Sequence, residues 1–463
     1  MLTDKKIEHG LCQNLISGVS SDHHIFAIDV TAQKRPYASK LQDKGFVHKS
    51  DPTPGNKPVV VGHNYSSVVY ITQDNHWAPP LSIARVKTSE KETVFGVNQW
   101  LNIIKDKENG FLGKKCIGLF DASYSSAYAI HASSKEMKKI DAIFIARLRS
   151  NRVLMRPITD TSSSGPGRKA SYDKDNPFKL ADENTWGTPY NEVQVIWETK
   201  RGNKHTVTIE AWINLRMRSH HDASIPNLPL TVIRMSVTNS EGKKVYKKDL
   251  WLVVVGKYLD FFSLSMIWGF YRLRFDIEHF FKFGKQHLLM NSYQTPDYLN
   301  EENWMMFVKI AYHQLYHARF LANKIRNPWE KKKEEALHEI GSDKNLQRIS
   351  LSPSYTQRDM VRVLEMMPNI TNEVKTRGVS PGREYGFKRA ERPDIPIIRK
   401  TPKINQKRVE CGIILRFKNN NPIPKPHIKY SGMDKDKIPI ELMDVFRKFE
   451  EKSSLAIPPP IQI

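Results

Sequence analysis

Apolar and polar positions alternate along this chain in two distinct rhythms, and the switch between them predicts its architecture. The run IFAIDV (Ile25 to Val30) reads as a buried strand ending in an acid. A turn-rich stretch with Pro52, Pro54, Gly55 and Pro58 follows, then VVVGHNYSSVVYI (Val59 to Ile71), two β-rich halves around a Gly-His-Asn kink. Helical spacing appears in Phe95, Val97, Trp100, Leu101 and Ile104. KCIGLFDASYSS (Lys115 to Ser126) predicts a second buried strand running into an acid and a small-residue turn. DAIFIARLRS (Asp141 to Ser150) predicts a third strand.

After a loop rich in Ser, Gly and Pro (Thr159 to Pro189), the period becomes strictly two. VQVIWETK, a Gly202-Asn203 hairpin turn, HTVTIEAWINL, TVIRMSVT and DLWLVVVG form a β-rich block within an α/β chain. Helical periodicity returns from Leu264 to Lys285 and from Glu302 to Ile325, with a further helix over Thr356 to Thr376. The remainder reads as mostly irregular, basic and Pro-rich. The expected divisions are a short lead (1–24), a first core part (25–158), a loop and β-rich insertion (159–258), closing core helices (259–328) and a C-terminal region (329–463).

Composition narrows the function classes. The formal net charge of +23 over 463 residues attracts polyanions, nucleic acid first among them, although an anionic membrane surface or a merely solvated basic tail answers to charge as well. Cys12, Cys116 and Cys411 stand far apart, which excludes a disulfide framework and a cysteine-rich zinc site and fits a reducing compartment. The segment Met1 to Gly18 lacks the apolar run of a signal peptide, and Lys257 and Asp260 interrupt the most apolar stretch (Trp251 to Tyr271). The expectation is a soluble, cytoplasmic, nucleoid-associated protein without a membrane segment.

Candidate chemistry lies where core strands meet acids. Asp29 and Asp121 each follow an apolar strand run, and a buried carboxylate needs a partner, a hydrogen bond or a metal. Read separately, each is as readily a turn or capping residue. The helical segment WGFYRLRFDIEHFFKFGKQ contains Tyr271, Arg274, Glu278 and Lys285, which on one continuous helix fall within roughly 60° of each other. A solvated, salt-bridged face explains this too, since Arg274 and Glu278 are spaced to pair. The apolar residues on the other sides of the segment (Phe270, Phe275, Ile277, Phe280, Phe281) favour a polar face lining a cleft.

The spacing Y-x2-R-x3-E-x6-K resembles the YREK signature of a large group of bacterial insertion-sequence transposases of the DDE type. IFAIDVT and GLFDASYSS resemble that family's first and second aspartate strands, and FIARLRSNRVL the strand after the second. The similarity runs from about Ile25 to Leu321, and TRGVSPGREYG (Thr376 to Gly386) has the flavour of the family's C-terminal segment. The resemblance implies an RNase H-like mixed sheet with helices, interrupted by a β-rich insertion domain and followed by the basic Pro-rich tail. It implies Asp29, Asp121 and Glu278 as catalytic metal ligands holding two Mg²⁺ or Mn²⁺ ions. It implies Tyr271, Arg274 and Lys285 as contacts to the DNA backbone, with Arg147, Arg149 and Arg152 as further contacts to transposon ends. The implied partners are double-stranded DNA, both transposon ends and target, and a second copy of the chain in a homodimeric DNA complex.

Relatives carry a longer helical region before the first aspartate, whereas 28 residues precede Asp29 here, so a truncated or inactive DNA-binding remnant is an alternative reading. A host nuclease of RNase H-like fold is another, with the long β block against it. Weaker signals are read as structural. His313 and His317 lack a zincin's Glu, since Gln314 stands there, and are expected in helix packing. Trp197 and Trp212 are expected in the core of the β block, Gly165 to Lys169 in a flexible turn, and the Glu330 to Glu335 run on a solvated helix face. Lys400, Lys403, Lys407 and Arg408 serve phosphate contact or solubility equally well.

Overall fold

In the computed structural model, the structure describes residues 4–16, 23–49, 58–74, 76–137, 140–158, 172–199, 202–218, 228–256, 262–322, 351–366, 393–397, 414–417 and 426–429. Gly165 to Lys169, Glu330 to Glu335, Thr376 to Gly386 and the tail cations Lys400, Lys403, Lys407 and Arg408 lie outside the described residues. The chain divides into two units, 1–399 and 400–463. In the second, where the sequence predicted irregular chain, Ile414–Phe417 and Pro426–Lys429 pair as antiparallel strands.

The central strand of the first unit is β1 (His23–Lys34). Residues 24–28 are all buried because this half has a partner on either side: β3 (Val59–Tyr70) antiparallel and β5 (Lys115–Phe120) parallel. The parallel pairing stops at Ile28 opposite Phe120. The sequence reading ended this strand at the acid; instead β1 runs on to Lys34 against β3, and its burial becomes patchier where β5 no longer covers it. Asp29 is thus mid-strand on one side and at a strand end on the other.

Beyond β3 lie β2 (Gly45–His48) and β4 (Pro80–Val86), and beyond β5 lies β6 (Ala142–Leu148), parallel to it. With one antiparallel wing and a parallel β1–β5–β6 set, this is an RNase H-like core. Helix α2 (Glu92–Lys105) covers one face through Val97, Trp100, Leu101 and Ile104, the helical spacing read from the sequence. Trp100 meets the sheet at Gly118, where an added Cβ would lie 2.8 Å from its ring.

The β-rich block continues this sheet. Strand β12 (Leu250–Val255) pairs antiparallel with β6, followed outward by β11 (Leu230–Asn239), β10 (Lys204–Leu215) and β9 (Asn191–Glu198), giving ten strands in all among the described residues. A separate hairpin of β7 (Val153–Arg156) and β8 (Asp173–Lys179) brings Phe178 to Trp212 and Trp251, which with Trp186 form an aromatic cluster with ring centroids 5.1–6.1 Å apart. Trp212 is therefore a core residue, as read. Trp197 is half-buried at the edge, against Trp268, under the guanidinium of Arg272.

Two helices absent from the sequence reading or altered by the structure matter for the site. Helix α1 (Asp4–Ile16) packs Cys12 and Leu15 into the core. The predicted single helix from Leu264 to Lys285 is two: α4 (Leu264–Leu273) and α5 (Asp276–His287), after α3 (Ala127–Met137). The junction is tightened by i→i−3 bonds, from Arg274 N–H to Tyr271 O, Ile277 N–H to Arg274 O and Glu278 N–H to Phe275 O. Helix α6 (Tyr298–Ala322) packs beneath the sheet, with His313 buried and bonded through Nε2 to Pro80 O at 2.9 Å, a structural histidine as expected. Helix α7 (Pro353–Met366) follows.

Candidate active site

Parallel pairing of β1 with β5 in register, Ile28 beside Phe120, brings the next residues, Asp29 and Asp121, to the same edge of the sheet. Strand ends are where side chains converge with free backbone around them. Asp29 Oδ1 accepts the Val30 N–H at 2.8 Å. Its carboxyl is pushed up to about 6, first by burial and then by the negative charge of Asp121, with Glu278 adding in the same direction. Asp121 caps the short turn Ala122–Ser125, accepting the Ser123 N–H at 2.9 Å and its hydroxyl at 2.6 Å. The capping role and the place at the candidate site thus fall on one residue.

Helix α4 docks at the same edge. The Tyr271 hydroxyl donates to the carbonyl of Phe120, the residue before Asp121, at 3.3 Å. Burial pushes its phenol up to about 12 despite the cations Arg274 and Arg147, so it is a neutral donor. The turn after α4 delivers Arg274, whose Nη2 donates to Glu278 Oε1 at 2.6 Å while Nη1 lies 3.5 Å from Asp29 Oδ2. Arg274 is largely buried, whereas the Glu278 side chain is 43% exposed. Arg274 thus bridges Asp29 and Glu278 at the sheet edge, and Asp121 lies close enough to Asp29 to raise its pKa.

Tyr124 lies under this group, fully buried, its phenol held far above the usual range by burial and then by Asp29 and Asp121. Its hydroxyl approaches Gly96 so closely that a Cβ there would lie 2.6 Å away. The sequence reading did not single out Tyr124; its place three residues after the second acid was the available signal.

The other sequence candidates divide. Lys285 is half-buried in α5, two helical turns from Glu278, with Nζ 5.7 Å from the Phe281 ring. Arg147 is exposed on β6 near Tyr271, and Arg149 is exposed just beyond. Arg152 differs: its guanidinium donates to the Ser125 carbonyl at 3.2 Å and braces the turn that Asp121 caps.

Three carboxylates with no nitrogen donor among them suit a hard divalent cation. Their mutual electrostatics fit that group too, since Asp29 is disfavoured as an anion by its two fellow acids, and a positive charge already stands between two of them. Among the described residues, the set of three metal-type donors with ligand atoms all within 4.8 Å of one another is a different one: His76, Asp276 and His279. Its signal in the sequence is Asp-x-x-His within FDIEHF, a helical ligand spacing.

Residues 3–212 match a family described as DDE superfamily endonuclease. The matched span contains Asp29 and Asp121 and ends before Glu278. No curated protein matches the chain. Over that span, less than half of its length, the chain is similar to the DDE superfamily endonucleases, in line with the resemblance read from its motifs. No helix among the described residues is long and apolar enough to cross a membrane.

Proposed function

We propose that this protein is a transposase of the insertion-sequence type, which cuts DNA at transposon ends and joins the freed strand to target DNA. Asp29, Asp121 and Glu278 are the acids of its active site. The observation that carries the reading is that these three, 249 positions apart at the extremes, come together at one sheet edge, with Arg274 bridging Asp29 and Glu278, and with Asp121 and Glu278 both near enough to Asp29 to disfavour its charge.

The three carboxylates would hold Mg²⁺ or Mn²⁺, two ions in the reading proposed here. When bound, such ions stabilise charge on the attacking and leaving oxygens of an in-line phosphoryl displacement and lower the pKa of the attacking water. The chain's own groups do the rest. Arg274 offers fixed positive charge and a fork that grips two phosphate oxygens once the acids are otherwise neutralised. Tyr271 holds α4 to the end of β5 through Phe120, which fixes the distance between the helix-borne and strand-borne acids. Arg147, Arg149 and Lys285 supply charge for the duplex on either side, and the net charge of +23 draws DNA from a distance. The same site serves cleavage and joining, with the 3′-hydroxyl of the first step as nucleophile in the second. A homodimer working on paired ends completes the proposal.

The test is nicking of supercoiled plasmid carrying the element's own ends, with Mg²⁺, with Mn²⁺ and with EDTA. Activity that requires the divalent ion and disappears in Glu278→Gln, while that variant stays folded and binds DNA, supports the reading. A wild-type protein that binds DNA without cutting it under all three conditions, or a Glu278→Gln protein that still cuts, overturns it.

A further inference from the structure

We propose a second metal site, formed by His76, Asp276 and His279 and selective for a borderline transition ion such as Zn²⁺, distinct from the acid site and tethering the β3–β4 loop to helix α5. Its ligand atoms already lie within 4.8 Å of one another. Asp276 Oδ1 is 2.7 Å from His76 Nδ1, and the His76 and His279 rings are 4.8 Å apart, inclined by 31°. Zn²⁺ bound tetrahedrally at about 2.0–2.1 Å sets neighbouring ligand atoms roughly 3.3 Å apart, so the imidazoles need only a small adjustment.

The elements explain why these three meet. Asp276 and His279 are separated by three positions on α5, which puts both on one face of its first turn. Asp276 is buried, its side chain 6% exposed, whereas the His76 imidazole is open to solvent. His76 arrives on a short loop held in an uncommon shape: Gln73 and His76 both have left-handed backbones, φ 58° and 63°. Non-glycine residues in that region cost of order 1–3 kcal/mol each and persist where the surroundings demand them. The surroundings here are firm. Trp77 is fully buried with its indole N–H on Leu351 O at 2.7 Å, and Asp74 pairs with Arg319 at 3.2 Å.

A simple histidine–carboxylate pair at a helix start explains His76 and Asp276, and an edge contact with the Phe275 ring at 5.2 Å holds one side of His279, but neither accounts for a second imidazole brought to the same carboxylate. Two imidazoles and one carboxylate form the donor set that Zn²⁺ favours and that Mg²⁺, with its preference for oxygen and retained water, does not. The site also differs from the acid site in position on the helix. Asp276 and Glu278 are two residues apart, roughly 200° around the axis, so their side chains leave opposite sides.

The experiment uses the full chain without a polyhistidine tag, stripped with EDTA and dialysed. Zn²⁺ binding is followed by calorimetry, Co²⁺ by its visible absorption, and melting is measured with and without Zn²⁺. The expected result is one tight Zn²⁺ equivalent that raises the melting temperature, a four- or five-coordinate Co²⁺ spectrum, and loss of affinity by at least about tenfold in His279→Asn and in His76→Ala. Melting curves in EDTA establish that both variants fold, and Asp29→Asn and Glu278→Gln are expected to keep the site. Absence of tight Zn²⁺ binding overturns the proposal. So does binding that survives both histidine changes, or binding lost with Asp29 or Glu278, which would assign the ion to the acid site.

Discussion

Arg274 joins the two ends of the acid set: its Nη2 is 2.6 Å from Glu278 Oε1 and its Nη1 3.5 Å from Asp29 Oδ2. On the proposed function, a guanidinium so placed would compete with divalent ions for the same oxygens and would turn toward phosphate once the ions bind. Arg274→Gln removes both the competitor and the phosphate grip. Its expected effects run in opposite directions. The Mg²⁺ concentration giving half the maximal rise in melting temperature should fall, while the rate of DNA nicking drops on the order of 100-fold, the scale for loss of one preorganised charged donor. If neither quantity moves, Arg274 belongs to a surface ion pair and not to the site.

Asp29 gives a pH dependence with a definite sign. Its carboxyl is raised to about 6 by burial, and then by Asp121, from an ordinary value near 4. Between those values the unfolded chain releases a proton that the folded chain retains. The stabilising contribution is complete below about 4 and is lost as pH rises through about 6. In EDTA, Asp29→Asn should therefore match or trail the wild type at pH 4 and exceed it at pH 8 by on the order of 2 kcal/mol. Mg²⁺ should narrow the gap at pH 8 by stabilising the wild type. Urea unfolding across this range is the check, and equal stability at pH 8 in EDTA would contradict the buried, repelled carboxylate.

The arginines after β6 should separate by assay. Arg149 is exposed, so Arg149→Ala should leave stability within about 0.5 kcal/mol, weaken DNA binding and lower the salt slope by about one. Arg152 donates to Ser125 O beneath the Asp121 turn, so Arg152→Ala should cost about 1–2 kcal/mol of stability. Paired measurements of unfolding and of DNA binding at several salt concentrations decide. A reversed pattern would make Arg152 the DNA contact.

What the sequence revealed depended on how local the cause was. The buried strands around Phe26 and Leu119 were legible because a central strand covered on both faces is apolar throughout. The register that aligns Ile28 with Phe120 was not, because it is fixed by pairing between segments some 90 residues apart. The YREK spacing was legible, yet the uninterrupted helix drawn under it was not what forms. The tightened turn at Arg274 shifts Tyr271 onto α4 and Glu278 onto α5, and it is tertiary contact from Phe120 and His76 that holds each half. The β block showed its period-two pattern plainly. Its continuity with the core rests on β12 finding β6, which no local pattern encodes.

The ionic cluster at the start of α6 sets a last expectation. Glu301 is fully buried, with Oε2 3.5 Å from Arg35 Nη2 and Oε1 3.4 Å from His63 Nδ1. Arg35, 2% exposed, also donates to the Tyr293 carbonyl, so it cannot turn to water if its counter-charge is removed. Glu301→Ala leaves that cation in the interior and should cost about 3–5 kcal/mol. The double change Arg35→Met with Glu301→Leu removes both charges and should recover much of the loss, because desolvation of the pair offsets most of its attraction. The measurement is a double-mutant cycle by urea unfolding. Since this cluster ties β3 and the residue just after β1 to α6, away from Asp29, the double variant should retain whatever nicking activity the wild type has, and a loss of nicking in a fully folded double variant would show that the cluster also sets the position of Asp29.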